Sequence, residues 1–285
     1  MSEKADSVVR AITDDGAFRV ITARTTHTVR GAVAAQHGSG TTARSFGDLL
    51  TAAILFRETM APKLRVQSIL KSARGRGSLV ADSHPSGKTR GLIQLPSGAR
   101  ELNLDAGALL QVMRTMPDGR VSQGIVSVPV GSSIPEALMD YMQTSEQVVS
   151  MLALGTLMRG ESVVSAGGYL VQLLPEVGRG SLKIMTNRLR DFGRMDSLLD
   201  DDSFSPQWLL EQLLDGMPFT QLEESAVDFD CWCDELRLMT AMATLNRADI
   251  ELLLADGEVL EISCDYCGRE YRIAPAQLRG LLEPS

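Results

Sequence analysis

The sequence has few aromatic residues, only three histidines and no long hydrophobic run. Aromatic residues make up 5% of the chain, so a packed core must rest on aliphatic side chains and the 13 methionines. Polar residues interrupt every apolar stretch well before the ~18 residues that a membrane-spanning helix needs. The N-terminal sequence MSEKADSVVR lacks the apolar segment of a secretory signal. These absences lead us to expect a cytoplasmic protein with no membrane segment.

Charge is distributed unevenly along the chain. Residues 1–120 carry 17 Lys and Arg against 10 Asp and Glu, whereas residues 191–235 carry 13 acidic residues and a single base, Arg194. The basic excess forms no dense patch, so we expect no specific nucleic-acid partner. The acidic stretch suits either a solvated helix face or a marginally folded segment, because crowded like charges oppose compaction.

The apolar patterns predict an α+β fold. Alternation over residues 7–25, around the turn at residues 14–16, predicts a β-hairpin. A helical period predicts helices over Thr28–Gln36 and Ser45–Thr59, and Pro135 suits the first turn of another. Further strands are predicted at Arg65–Leu70, Ser78–Asp82, Arg90–Leu95, Val121–Val128, Val148–Leu154 and Val163–Leu174.

Composition divides the chain into three predicted parts. Residues 1–176 form an N-terminal domain of mixed sheet and helix. Residues 177–228 contain short helical patterns broken by glycine and proline, which predicts a helical linker with little core of its own. Residues 229–285 contain all four cysteines and no histidine, which predicts a small C-terminal zinc-binding domain.

The four cysteines occur as two close pairs. Cys231 and Cys233 flank one residue, Cys264 and Cys267 flank two, and 30 residues separate the pairs. This pattern suits a tetrahedral four-thiolate site for one Zn²⁺ per chain. A purely structural zinc ribbon is the simpler interpretation. The unusual Cys-x-Cys spacing favours a redox switch instead, because a disulfide across one residue would close a strained, easily reduced ring.

Other motifs do not indicate catalysis. Ser86–Thr89 resembles the end of a phosphate-binding loop, but Asp82 stands where that loop requires glycine, so we predict a hairpin turn. Gly38–Ala43 fits a dinucleotide fingerprint but follows a predicted helix, which favours a helix–helix connection. Arg74–Gly77 is interpreted as a basic turn. No Ser/His/Asp constellation is discernible, and we expect no enzyme.

These residues resemble the heat-shock protein 33 family (HslO) of redox-regulated holdase chaperones. The resemblance rests on the cysteine spacing, the strand Tyr271–Ile273, and two upstream elements along nearly the full chain. Ser145-Glu146-Gln147 resembles the family's S-E-Q element, and Gly167–Pro175 resembles its G-G-x-L-x-Q-x-L-P strand. The chain departs from the family after the second cysteine: members often have Ser or Thr there with Glu-Arg soon after, whereas this chain has Asp234-Glu235-Leu236-Arg237.

The resemblance implies an ATP-independent chaperone that is poorly active when reduced and zinc-bound. Oxidants would form the disulfides Cys231–Cys233 and Cys264–Cys267, eject zinc and unfold the linker. The activated protein, as a homodimer, would then hold unfolded client proteins. Two alternatives stay open: a thiol–disulfide oxidoreductase, and a zinc-ribbon adaptor for nucleic acid or the translation machinery.

Overall fold

A computed structural model describes residues 5–73, 77–102, 104, 107–175 and 177–282. It separates the chain into two compact units, Met1–Asp230 and Cys231–Ser285. The strands are β1 (Ser7–Thr13), β2 (Phe18–Arg24), β3 (Arg65–Lys71), β4 (Ser78–Ser83), β5 (Lys88–Gln94), β6 (Ala108–Thr115), β7 (Val121–Val128), β8 (Ser150–Arg159), β9 (Ser162–Leu173), β10 (Phe219–Ala226), β11 (Asp228–Phe229), β12 (Leu260–Ser263) and β13 (Glu270–Ile273). The helices are α1 (Thr26–Ala35), α2 (Gly40–Glu58), α3 (Ile134–Ser145), α4 (Arg179–Asp191), α5 (Met195–Leu199), α6 (Pro206–Leu213), α7 (Glu235–Met242), α8 (Arg247–Ala255) and α9 (Pro275–Gly280).

Two sheets build the first unit. One has the order β10-β1-β2-β9-β8 and the other the order β11-β5-β4-β3-β6-β7. Helix α2 packs against both of them, and most of its residues are buried, including the charged Arg57 and Glu58 near its end. Gly47 makes this packing possible, because an added Cβ would lie 2.5 Å from the Thr156 hydroxyl.

Strand β9 is buried on both faces, in contrast to the alternating burial of β3. Successive side chains of a strand point to opposite faces. Leu170 therefore joins the core around α2, whereas Tyr169 and Val171 join a second core on the other face. The near-continuous apolar run in this part of the sequence reflects that double burial.

The second core is covered by residues from the predicted linker. Helices α4, α5 and α6 place Met185, Leu199 and Leu209 against the sheet. Helix α6 begins where the Ser205 hydroxyl accepts a hydrogen bond from the Trp208 amide, 3.1 Å away, with proline in the first turn. The predicted linker also contains strand β10, which pairs antiparallel with β1. The sequence analysis did not predict that strand.

The second unit has a small core. Strands β12 and β13 form an antiparallel hairpin, and helices α7, α8 and α9 accompany it. In the described part of this unit four apolar residues outside the cysteine cluster are fully buried: Met242, Ile250, Ile273 and Leu278. So few buried side chains contribute little stabilisation, and small natural domains commonly add a structural metal or disulfides to such a core.

The expected α+β class is confirmed, and most predicted elements are present with ends shifted by a few residues. Besides β10, the strands β6, β11 and β12 and the helices α5, α7 and α9 were not predicted from the sequence. Ser86 and Gly87 lie in the turn between β4 and β5, as predicted, and Gly38 and Ser39 lie in the connection between α1 and α2. The rest of the predicted helix–helix connection, residues 40–43, is the first turn of α2. Residues 74–76 of the predicted basic turn lie outside the described residues. Within the described ranges, no helix combines the length and apolar character needed to cross a membrane.

Candidate metal centre

The first cysteine pair lies on an extended segment between β11 and α7. Alternate side chains of extended backbone share a face, which accounts for Cys231 and Cys233 meeting the same partners while Trp232 stands between them. The segment ends at Asp234, whose carboxylate accepts a hydrogen bond from the Arg237 amide at 2.7 Å and so begins α7. This cap fixes where the second cysteine stands.

The second pair lies in the tight turn between β12 and β13. The Cys264 amide donates to the Arg269 carbonyl at 2.9 Å, and the Gly268 amide donates to the Cys264 carbonyl at 2.8 Å. Gly268 has a φ of +70°, a conformation that glycine adopts without a Cβ clash. The turn thereby directs Cys264 and Cys267 to one side.

The two pairs meet, and all four sulfur atoms lie within 4.8 Å of one another. The Sγ atoms of Cys231 and Cys264 are 3.8 Å apart, and those of Cys233 and Cys267 are 3.4 Å apart. Four sulfurs at tetrahedral corners about 2.3 Å from an ion are about 3.8 Å apart. The cluster therefore has nearly the dimensions of a four-thiolate coordination shell. Cys231 is buried and the other three cysteines are half-buried.

The thiols do not ionise independently. Burial opposes ionisation of Cys233, but favourable interactions with the Tyr271 hydroxyl and the other three cysteines outweigh it and lower its pKa to about 7. Burial and the neighbouring thiols raise the pKa of Cys267 to about 12. One thiolate thus forms readily and opposes ionisation of the next.

This electrostatic coupling fits a bound cation. A divalent ion among the sulfurs would compensate the charge of several thiolates at once, and soft thiolate ligands in a tetrahedral set favour zinc over hard cations such as magnesium. The donor set therefore suits the metal that the cysteine spacing predicts. In the described residues no other group of three or more Cys, His, Asp or Glu side chains gathers closely enough to hold an ion.

Sequence reasoning named the four cysteines but missed their polar neighbours. Tyr271 on β13 lies beside Cys233, and the Arg269 guanidinium donates to the Cys233 carbonyl at 3.4 Å. Tyr271 lies four residues after Cys267, on strand β13, and this proximity in the sequence could have indicated that it contacts the cysteines.

The fold and the cysteine cluster together define an α+β protein that ends in a compact unit able to bind a metal. The family model described as Hsp33 protein matches residues 6–274, nearly the whole chain. The chain therefore belongs to the Hsp33 family, a family of chaperones.

Curated relatives and a solved structure agree with this assignment. A 33 kDa chaperonin from Desulforamulus reducens is 28% identical over 288 residues, covering 98% of this chain and 97% of the relative. A 33 kDa chaperonin from Thermus thermophilus is 28% identical over 298 residues, covering 96% of this chain and 86% of the relative. The crystal structure of the 33 kDa chaperonin from Thermotoga maritima superposes with a TM-score of 0.83 at 20% identity, covering 98% of both chains, so the fold is shared.

Proposed function

We propose that this chaperone is an ATP-independent holdase that oxidation of its four cysteines activates. The observation that carries the proposal is that all four sulfurs gather in a unit whose apolar core is very small. Cys231, Cys233, Cys264 and Cys267 are the proposed zinc ligands. When bound, one zinc ion would tie the segment before α7 to the hairpin turn, and such ions contribute on the order of 10–16 kcal/mol to the folding of small modules.

Oxidation removes the ligands. Each disulfide forms as two thiolates lose two electrons, which hypochlorite accepts together with two protons from the solvent in becoming chloride and water. We propose the pairs Cys231–Cys233 and Cys264–Cys267, on the strength of the family resemblance. The sulfur separations do not select a pairing, because all four atoms are close neighbours. Without thiolate ligands, the remaining core of the second unit is too small to keep it folded.

Release of residues 177–228, the proposed redox-sensitive linker, would then expose a client-binding surface. Helices α4, α5 and α6 cover one face of the five-stranded sheet, including Phe18, Val20 and Val171. The acidic stretch of residues 191–235 overlaps most of this segment, and its crowded like charges disfavour compact packing. Uncovering the sheet face would present a large apolar surface of the kind that binds partly unfolded proteins. The active form is proposed to be a homodimer in the cytoplasm.

The proposal is tested by titrating the reduced, zinc-loaded protein with hypochlorite. We expect release of about one zinc per chain, loss of helical circular dichroism, and new suppression of the aggregation of a heat-unfolded client in the absence of ATP. Zinc release without suppression would overturn the holdase assignment. Turnover in an insulin-reduction assay with zinc retained would favour an oxidoreductase instead.

The Cys233→Ser variant serves as a ligand control in the same titration. Removing one of four ligands weakens zinc binding, so the variant should lose its ion to a lower concentration of a competing chelator. Equal zinc affinity in the wild type and the variant would remove Cys233 from the site.

A further inference from the structure

A cavity of about 870 Å³ lies in the first unit, away from the cysteines. Arginines from three elements line it, Arg10 of β1, Arg19 of β2 and Arg57 of α2, together with the carboxylates of Glu58, Glu223 and Glu224. Strand β10 and the turn between β4 and β5 line its other sides. The volume falls within the range of small-molecule sites, about 300–1,000 Å³.

Two of the arginines share one buried carboxylate. Glu58, whose side chain is 3% exposed, forms ion pairs with both Arg10 and Arg57. Arg57 is 6% exposed, and its Nε atom is buried without a hydrogen-bond partner. Burial, and after it the charge of Arg10, lower the pKa of Arg57 to about 10. Taken by themselves, these three side chains carry one net positive charge in a poorly solvated place.

Arg19 adds a second positive charge. In the described part of the chain its guanidinium donates to neutral oxygens, the Thr59 carbonyl at 3.3 Å and the Gln172 side-chain oxygen at 3.4 Å. No carboxylate among the described residues forms an ion pair with it. The lining thus holds three guanidinium groups against one buried carboxylate, Glu58, and two exposed ones, Glu223 and Glu224.

A carboxylate on β10 already contacts one of these arginines. Glu223 on β10 lies 3.3 Å from Arg10 Nη2, but its side chain is 76% exposed. The neighbouring Ser225 hydroxyl accepts from the same nitrogen at 2.6 Å. An ion pair with so exposed a carboxylate is weak. A dissolved anion with more charge can therefore compete with Glu223 for Arg10.

We propose that this cavity binds an anion bearing two or more phosphate groups, which displaces Glu223 from Arg10. Guanidinium groups bind phosphate through paired N–H donors in a fixed planar fork. Arg19 and, once Glu223 is displaced, Arg10 supply the donors, while Arg57 contributes a buried positive charge. The site uses none of the thiols and goes beyond the proposed redox function.

The turn at Ser86–Gly87 lines the same cavity but supplies no phosphate loop. The Gly87 amide donates to the His84 carbonyl at 3.0 Å, and the Ser86 amide donates to His84 Nδ1 at 3.3 Å. Lys88 is paired with Asp230. The donors that a phosphate-binding loop would present are therefore engaged within the turn, and the arginines are the binding groups.

Binding of tripolyphosphate to the reduced, zinc-loaded protein tests the proposal by titration calorimetry at constant ionic strength. We expect saturable binding with one site per chain. Glu223→Gln removes the competing carboxylate and should tighten binding at least about threefold. Arg19→Gln removes a charged donor and should weaken binding about tenfold or more.

Two variants control for general charge effects. Arg120→Gln removes an exposed arginine from the turn between β6 and β7, and Glu211→Gln removes an exposed carboxylate from α6. Neither should change the affinity by more than twofold. Absence of saturable binding overturns the proposal, as do equal effects of the site and control variants. Because no oxidation is involved, failure here leaves the redox proposal untouched.

Discussion

Asp48 on α2 is a carboxyl group placed where its charge is unfavourable. The Thr156 hydroxyl donates to it at 2.8 Å. Burial nevertheless raises its pKa to about 6, against the lowering effects of Thr156 and Arg44, and the charge of Asp196 adds a smaller increase. Asp196 belongs to α5 in the proposed linker, so the protonation state of Asp48 bears on how firmly that helix is held.

The free energy of unfolding should depend on pH through Asp48. A carboxyl whose pKa is raised in the folded state stabilises the protein at low pH, and this stabilisation is lost as pH rises through about 6. Between pH 5.0 and 7.5 the loss amounts to about 1.4 kcal/mol. In the zinc-loaded protein, Asp48→Asn should remove this pH dependence of the free energy of unfolding, which urea unfolding at several pH values measures. The exposed Asp140→Asn variant should keep it, and equal slopes in both variants would contradict the assignment.

At the level of single residues, the sequence predicts those groups whose partners are close along the chain. The two cysteine pairs predict a metal site because their spacings place both sulfurs of each pair on the same side of the backbone. Arg269 and Tyr271 lie near the same turn but carry no comparable pattern. Arg10, Glu58 and Glu223 meet only because β1, α2 and β10 come together in the fold, and no spacing in the sequence indicates that contact.

Among the elements, α6 has the clearest role in covering the sheet. Its apolar residues recur at positions 206, 209, 210 and 213 and are all buried, the spacing of one helix face. Leu209 is completely buried in the second core. This helix is therefore the part of the proposed linker whose packing can be weakened most selectively.

Leu209→Ala should destabilise the docked linker by about 2–5 kcal/mol. If docking restrains activity, the reduced, zinc-loaded variant should already suppress client aggregation without oxidant. Leu182→Ala is the matched control, because Leu182 lies on α4 of the same segment but is 42% exposed, and such changes usually cost less than about 0.5 kcal/mol. A reduced Leu209→Ala protein with loosened α6 and no activity would show that linker docking does not restrain the chaperone.

The elements that were missed are those whose conformation depends on partners. Strand β10 is exposed along most of its length, so its side chains show no apolar alternation. It is a strand because its backbone pairs with β1. The hairpin of β1 and β2 was predictable, since its alternation and its turn are both local in sequence. Helix α2 begins at Gly40, five residues before the predicted start, because tertiary packing extends it beyond its apolar face.

On the scale of the whole molecule, the two units differ greatly in how much apolar surface they bury. The first contains two cores, and helices α4, α5 and α6 of the proposed linker cover one of them. In its described part, the second has four buried apolar residues besides its thiols. Oxidation of the sulfur ligands should therefore unfold the second unit and release helices α4, α5 and α6. It should leave the core around α2 intact.

Hydrogen exchange before and after hypochlorite treatment measures this difference. Amides in residues 231–282 and in α4, α5 and α6 should lose protection on oxidation, whereas those of α2 and β9 should keep it, because both cores cannot be lost without global unfolding. Reduction with added zinc should restore the original pattern. If client binding appears while the three helices stay protected, the active surface lies elsewhere on the molecule. If the amides of α2 also lose protection, oxidation denatures the whole protein, and the redox switch is not limited to the second unit and the linker helices.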